Sequence, residues 1–438
     1  NLALSLYMGK KTEPIPGASD IFPAEVAEWL LLEAEARRVF GLYGYGEVRT
    51  PVMERTAVFE RSIGEQTDVV QKEMYTFEDR GGRSLTLRPE GTAGIMRALV
   101  DNGIPQGDEK RVYYIGPMVR GERPAAGRKR QFHQIGAECV GTVAPETDIE
   151  TIEMLMRYFD AIGIRNTRLL VNSRGTVADR PKIADTLAAY FGDHLDDICE
   201  DCRRRLESNV WRILDCKNEA CGNIVTGAPA ITDLLSAESR DFFQRACDRL
   251  DLLELPYTVD PRLVRGLDYY EHTVYEIAFD GIGAQNSLAG GGRYAIEVPG
   301  HNQVVHGTGF AIGMERIILA RHELGVATAA GNGIDAYLVS IGEEAFAANM
   351  KLARDLRRQG FRIAMDLQGR GTKAQMRTAN KLEAPVALIR GDDELGRDMI
   401  VCKNLSASEQ LEVTIADLPA HLQSTVDARF AGAAHAEE

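Results

Sequence analysis

Strand-forming, glycine-rich sequence in this chain stops near residue 173, gives way to a charged and mostly helical block over 174–254, and resumes at Tyr257. That interruption constrains the fold more than any other feature. On either side of it, apolar and polar residues alternate as they do in half-buried antiparallel strands. Residues 74–77 and 84–87 flank Asp79-Arg80-Gly81-Gly82 and predict a hairpin with a glycine turn. Residues 112–119 and 131–140 are longer strands joined by a basic loop, and 168–172, 273–279 and 287–293 continue the series. Helical spacing marks 23–40, 90–100, 145–163 and 313–324. The reading is an α+β chain: an antiparallel sheet domain over 9–173 and 255–326, split by a helical insertion over 174–254.

At 438 residues the chain exceeds what one core holds. A small, polar linker over 325–333 leads into strands at 336–341, 362–365, 385–389 and 399–404 that alternate with helices at 345–359 and 373–382. This predicts a separate C-terminal α/β domain over 333–425. Residues 426–438 read as a disordered tail, and 1–7, ahead of Met8, as an upstream extension.

A net charge of -14 excludes nucleic-acid binding by global charge alone. It leaves room for two basic stretches. One holds Arg120, Arg123, Arg128, Lys129 and Arg130. The other runs from Lys351 to Lys381. Each reads singly as a solvated face; together, in different domains, they suit two ends of one long polyanion. No apolar run is long enough for a membrane helix. Seven cysteines, an odd number, and no secretion signal point to a reducing, cytoplasmic compartment.

Several nucleotide and hydrolase signatures are absent. There is no GxxxxGK[ST] loop, no HExxH and no GxSxG, and Gly307, Gly309 and Gly313 fail the dinucleotide spacing. The segment Arg120-Gly121-Glu122-Arg123, followed by Arg128 to Gln134, is the most informative. It puts an arginine at the end of one strand and Phe132 on the returning one. An arginine there pairs a phosphate bidentately, and an aromatic face carries a purine. The plain alternative is a surface hairpin with solvated charges.

This RxE–loop–RxxxF pattern resembles motif 2 of class II aminoacyl-tRNA synthetases. Gly44-Tyr45-Gly46-Glu47-Val48-Arg49-Thr50-Pro51 resembles motif 1, the dimer element, and Gly307-Thr308-Gly309 through Arg316 resembles motif 3. Leu87-Arg88-Pro89-Glu90-Gly91-Thr92, Arg265-Gly266-Leu267-Asp268-Tyr269-Tyr270 and Gly290-Gly291-Gly292-Arg293-Tyr294 resemble signature segments of histidyl-tRNA synthetases. The resemblance implies a class II catalytic domain, a C-terminal anticodon-binding domain and a homodimer. The implied substrates are L-histidine, ATP with Mg2+, and tRNA(His).

By resemblance, Arg120 and Arg265 are the catalytic cations at the α-phosphate. Phe132 and Arg316 sandwich adenine, while Glu122 and Arg128 assist at adenine and the distal phosphates. Glu90, Thr92 and Gln134 surround the ammonium and carboxylate of histidine. Glu138 and Tyr270 read its imidazole, and Tyr269 and Tyr294 line the pocket. Pro124-Ala125-Ala126-Gly127 stands in the motif 2 loop where members often carry a polar residue such as Gln. A second class is a synthetase-like histidine-sensing regulatory subunit; the presence of Arg120, Arg265, Arg316 and the C-terminal domain argues against it.

Cys199, Cys202, Cys216 and Cys221 fall in the insertion. Four thiolates so spaced bind zinc tetrahedrally. They serve equally as small apolar side chains packing a helical segment. The spacing leaves both readings open.

Overall fold

The predicted alternation produces an eight-stranded sheet whose central six strands are all antiparallel. In order, it runs Gly46–Glu47, Lys110–Val119, Gln131–Val140, Val304–Gly313, Ser287–Glu297, Tyr270–Ala278, Arg168–Ser173 and Tyr257–Val259. Only the two outermost pairs are parallel. The computed structural model describes residues 13–103, 108–283, 286–301, 304–326, 333–407 and 409–425. The upstream extension, most of the linker and the tail lie outside the described residues. The chain divides into two units, Asn1–Ala329 and Ala330–Glu438.

Because side chains alternate along a strand, the sheet has two unlike faces. Ile135, Ala137 and Cys139 point to a helix layer, where they meet Leu32, Phe40, Ile152, Leu155, Phe243 and Ile317. That layer holds helices Pro23–Leu42, Pro145–Ala161, Ala237–Leu252 and Met314–Glu323. The intervening residues of the same strand face the other way and build the site. Two helices of the layer carry a proline in their first turn, where its missing N–H costs nothing.

The 174–254 block is heterogeneous. Its helices up to Leu235 enclose a small core of their own, with Ile183, Phe191, Cys202, Trp211, Cys221 and Ile231. The last helix, Ala237–Leu252, instead packs on the main sheet layer through Phe243, Ala246 and Leu250. Residues 48–53 read in the sequence as a strand interrupted by Pro51, and the segment around this proline is interrupted in the structure. It breaks into Gly46–Glu47 and Met53–Arg55, and the latter joins the hairpin Thr76–Glu78 and Ser84–Leu87 in a three-stranded sheet. Pro51 has no N–H to give a ladder, which suits a break at that point.

The second unit is a five-stranded sheet in the order Ile363–Met365, Ala336–Ser340, Val386–Arg390, Met399–Asn404, Gln410–Thr414. Its first three strands are parallel and the rest antiparallel. Helices Glu343–Arg358 and Thr372–Lys381 make the crossovers. No helix among the described residues is long and apolar enough to cross a membrane.

One buried ion pair ties sheet to helix layer. Arg293, 1% exposed, has its Nη2 2.8 Å from Asp148 Oδ1 on the Pro145–Ala161 helix; the same Nη2 donates to the carbonyl of Ala144, and Nη1 to that of Thr142. Removing one partner strands a charge in a dry interior. Asp148→Asn is therefore expected to lower unfolding free energy by about 3–5 kcal/mol in urea titration. The double change to Met at 148 and 293 should recover most of that loss; a single variant of near-normal stability contradicts the pair's role.

Candidate functional site

Three arginines from three separate stretches meet at one cavity. Arg120 follows the Lys110–Val119 strand, and its Nε donates to the carbonyl of Pro89 at 2.8 Å. Arg265 lies on the loop before the Tyr270–Ala278 strand and pairs with Glu276 at 2.7 Å. Arg316 opens the Met314–Glu323 helix. Its Nε donates to the Gly127 carbonyl at 3.1 Å, and its Nη1 to that of Ser287 at 2.7 Å. All three line a cavity of about 170 Å³, together with Glu122, Arg128 and Phe132. Burial and the nearby charges of Arg120 and Arg128 push Arg316 below the ordinary guanidinium value, against the pull of Glu122. Packing like charges this way favours an anionic guest.

Arg120 carries its guanidinium carbon 5.3 Å from the centre of the Phe132 ring. Phe132 and Arg316, expected around adenine, do border the same space. Glu122 and Arg128, expected to act separately, are joined side chain to side chain. A residue the sequence reading missed stands behind them. Glu73 lies against Glu122, and burial together with that neighbouring carboxylate raises its pKa. Glu73 comes from the Val69–Glu73 turn, remote from every motif, and no local pattern marks it.

A second, smaller cavity of about 60 Å³ adjoins the first and shares Arg120, Gln134 and Arg265 with it. Its other walls include Glu90, Thr92, Glu138, Tyr269, Tyr270 and Tyr294. Every residue expected around histidine is therefore brought together. Glu90 caps the Thr92–Asp101 helix, accepting the N–H groups of Thr92 and Ala93 at 2.8 Å each. Glu138 is buried, with Oε1 accepting from Thr92 Oγ1 at 2.7 Å and Oε2 from the Tyr294 hydroxyl at 2.9 Å. Gln134 Oε1 is buried and makes no hydrogen bond. Such an orphaned acceptor at a cavity wall invites a donor from a ligand.

Two glycines are required by close approach. A Cβ on Gly309, which lies opposite Glu138 in the sheet, would stand 2.0 Å from Glu138 Oε2. A Cβ on Gly290 would stand 2.3 Å from the Arg265 guanidinium. Glycine-rich strands thus make room for charged side chains above them. Tyr294 and Arg293, neighbours in one signature segment, go to opposite faces; Arg293 is structural. Glu315 fastens the motif 3 helix to the motif 2 strand by accepting the His133 N–H at 3.0 Å.

The four cysteines of the insertion also converge, with all four sulfurs within 4.8 Å of one another. Cys139, Cys247 and Cys402 are buried packing residues.

An antiparallel-rich sheet with an arginine-lined cavity, an aromatic wall and a glycine-strand floor defines the catalytic fold of a class II aminoacyl-tRNA synthetase. The histidyl-tRNA synthetase family description matches residues 17–192 and 219–317, and an anticodon binding domain description matches 335–425. The histidine–tRNA ligase of Halothermothrix orenii is 44% identical over 412 residues, covering 94% of this chain and 98% of that protein. The Desulforamulus reducens histidine–tRNA ligase is 45% identical over 92% of this chain and 96% of its own length. The crystal structure of apo S. aureus histidyl-tRNA synthetase superposes with a TM-score of 0.76 at 33% identity, covering 94% of this chain and 100% of that one. The chain belongs to the histidyl-tRNA synthetase family.

Burial, reinforced by the Glu90 charge, lifts Glu138 from 4.5 to about 8, against its bonds from Thr92 and Tyr294. A raised carboxyl favours the folded state while protonated, so its contribution is complete below pH 4.5 and is lost as pH rises through about 8. Without substrates, the melting temperature of the wild type should fall more steeply across that window than that of Glu138→Gln. Parallel pH profiles would show that Glu138 titrates normally.

Proposed function

We propose that this chain activates L-histidine with ATP, releasing pyrophosphate, and passes the histidyl group to the 3′-terminal adenosine of tRNA(His). The observation that carries the reading is the shared wall. A cavity bordered by Arg120, Arg265 and Arg316 opens directly onto one that holds Glu138, Thr92 and Tyr294. ATP, entering as its magnesium complex, occupies the first, with adenine between Phe132 and Arg316. Glu122 assists there at adenine and Arg128 at the distal phosphates. Histidine occupies the second. Its imidazole meets Glu138 and Tyr270, with Tyr269 and Tyr294 beside it, and its ammonium and carboxylate meet Glu90, Thr92 and Gln134.

The chemistry needs no protein base, because the attacking carboxylate is already ionised. It needs two anions held together and the charge building at phosphorus offset. Arg120 and Arg265 border both cavities and stand where that charge develops. The proton that burial keeps on Glu138 near neutral pH also suits an imidazole guest. Transfer to the ring yields a carboxylate–imidazolium pair with no exchange with solvent. A pocket that pairs both ring nitrogens discriminates against side chains lacking them by orders of magnitude.

Arg265→His should abolish histidine-dependent exchange of pyrophosphate into ATP while histidine binding by calorimetry stays measurable. Near-normal exchange in that variant would end the cation role. No exchange in the wild type would instead mark a histidine-sensing protein without catalysis.

The second unit supplies the anticodon contact in this reading. Lys373, Arg377 and Lys381 stand exposed at four-residue spacing on the Thr372–Lys381 helix, and none pairs with a carboxylate among the described residues. By contrast, Arg354, Arg362 and Arg370 pair with Asp355, Asp335 and Asp366. Replacing Lys373, Arg377 and Lys381 together by alanine should raise KM for tRNA(His), flatten its salt dependence and leave pyrophosphate exchange intact. Unchanged tRNA kinetics would remove this helix from the interface.

Dimerisation is supported by Val52, Met53, Tyr75 and Phe77. These are exposed apolar side chains on or beside the three-stranded sheet next to the motif 1 segment. ATP and transfer RNA as substrates fit a cytoplasmic place of work.

A further inference from the structure

We propose that Cys199, Cys202, Cys216 and Cys221 hold one tetrahedral zinc ion, and that this ion fixes the loop carrying Arg265. The sulfur spacing carries the first half. Zinc–thiolate bonds of about 2.3 Å at tetrahedral angles place sulfurs about 3.8 Å apart. Cys199 and Cys216 are 3.8 Å apart, Cys202 and Cys221 are 3.9 Å apart, and all four lie within 4.8 Å of one another. All four are free thiols. Backbone N–H groups already address two of the sulfurs: Cys199 donates to Cys221 Sγ at 3.1 Å, and Asn218 to Cys216 Sγ at 3.4 Å. Such outer bonds orient thiolate ligands and temper their charge. Four soft donors with no oxygen or imidazole select zinc over harder divalent ions. Binding releases the four thiol protons to solvent.

The second half rests on what surrounds the cluster. Cys202 and Cys221 belong to the small insertion core, and so does Val264, the residue before Arg265. On the other side, a Cβ on Gly266 would stand 2.7 Å from Arg212 of the insertion. Arg212 in turn pairs with Asp68 at 2.9 Å. Asn172 holds the Leu263 carbonyl at 3.0 Å. Arg265 is thus gripped through both chain neighbours by a core with the four thiols in it. Leu214, Cys216 and Lys217 also form a wall of the cavity of about 560 Å³ that opens onto Arg265. A core of so few side chains gains rigidity from a metal staple. This half depends on the role proposed above for Arg265. The ion itself does not, so the two fail separately.

The test uses the full, tag-free chain. Elemental analysis should find one zinc per chain, and a thiol-directed mercurial should release it in step with four modified thiols. Cobalt(II) in its place should give thiolate charge-transfer absorption and the visible bands of a tetrahedral site. Cys216→Ser, in the half-buried loop, should lose that spectrum. Zinc removal should lower kcat for histidine-dependent pyrophosphate exchange roughly tenfold to a hundredfold, with KM for ATP little changed and activity restored by zinc. Absence of zinc with no tetrahedral cobalt spectrum overturns the site, as does a thiol count in denaturant and chelator that shows disulfides. A metal-free chain with full kcat overturns the link to Arg265.

Discussion

The structure depends on keeping like charges close together before any substrate arrives. Two unit charges about 4 Å apart interact by about 4 kcal/mol at an effective dielectric of 20. An unliganded cluster of guanidinium groups must therefore be held from outside. Here the anchors are largely backbone carbonyls: Pro89 for Arg120, and Gly127 and Ser287 for Arg316. A carbonyl fixes direction without cancelling charge as a carboxylate does. Arg265 is held by a carboxylate, Glu276, while its Nε stays buried without a hydrogen-bond partner among the described residues. Preorganised groups of this kind need little rearrangement when charge develops on a guest.

The sheet makes that arrangement affordable in volume. With a repeat of two, the Gln131–Val140 strand gives one face to packing and the other to chemistry, so the core and the site do not compete for positions. The limit is space above the neighbouring strands. Glycines at 290 and 309 set the floor low enough for Arg265 and Glu138 to lie flat across it. The cost of strand glycines is lost packing and extra unfolded-state freedom. Long, continuous antiparallel pairing from Lys110 to Ser173 around the sheet offsets it.

Much of this was legible in the sequence because its signals are local. Alternation revealed the strands, helical spacing the layer that covers them, and motif resemblance the residues that line both cavities. What escaped depends on tertiary partners. Glu73 has no pattern of its own and matters only because Glu122 lies beside it. Arg128 shows its ion pair only once the basic loop has folded back. Which sheet the segment after Pro51 joins is set by its pairing with Ser84–Leu87. The helix Ala237–Leu252 looks like the rest of the insertion in composition, and only its packing assigns it to the sheet layer. The cysteine spacing was ambiguous for the same reason: sequence separation says nothing about where four sulfurs meet.

The two cavities differ in what they recognise, yet each is incomplete alone. The larger has cations but no means of choosing an amino acid; the smaller has a buried carboxyl and tyrosines but no anion site of its own except the shared wall. Arg120, Gln134 and Arg265 form that wall, joined by Gly290 and Ala311. Gly290 and Ala311 keep it thin. In the proposed reading, a carboxylate leaning on the wall from one side and an α-phosphate from the other are forced toward contact, and the arginines that attract each anion are the ones that screen their repulsion. Selection and activation are therefore coupled by position. In that proposed reading, a guest that fails to seat its ring against Glu138 also fails to bring its carboxylate to Arg265, so discrimination by the small pocket is expressed in the rate of the step as well as in binding.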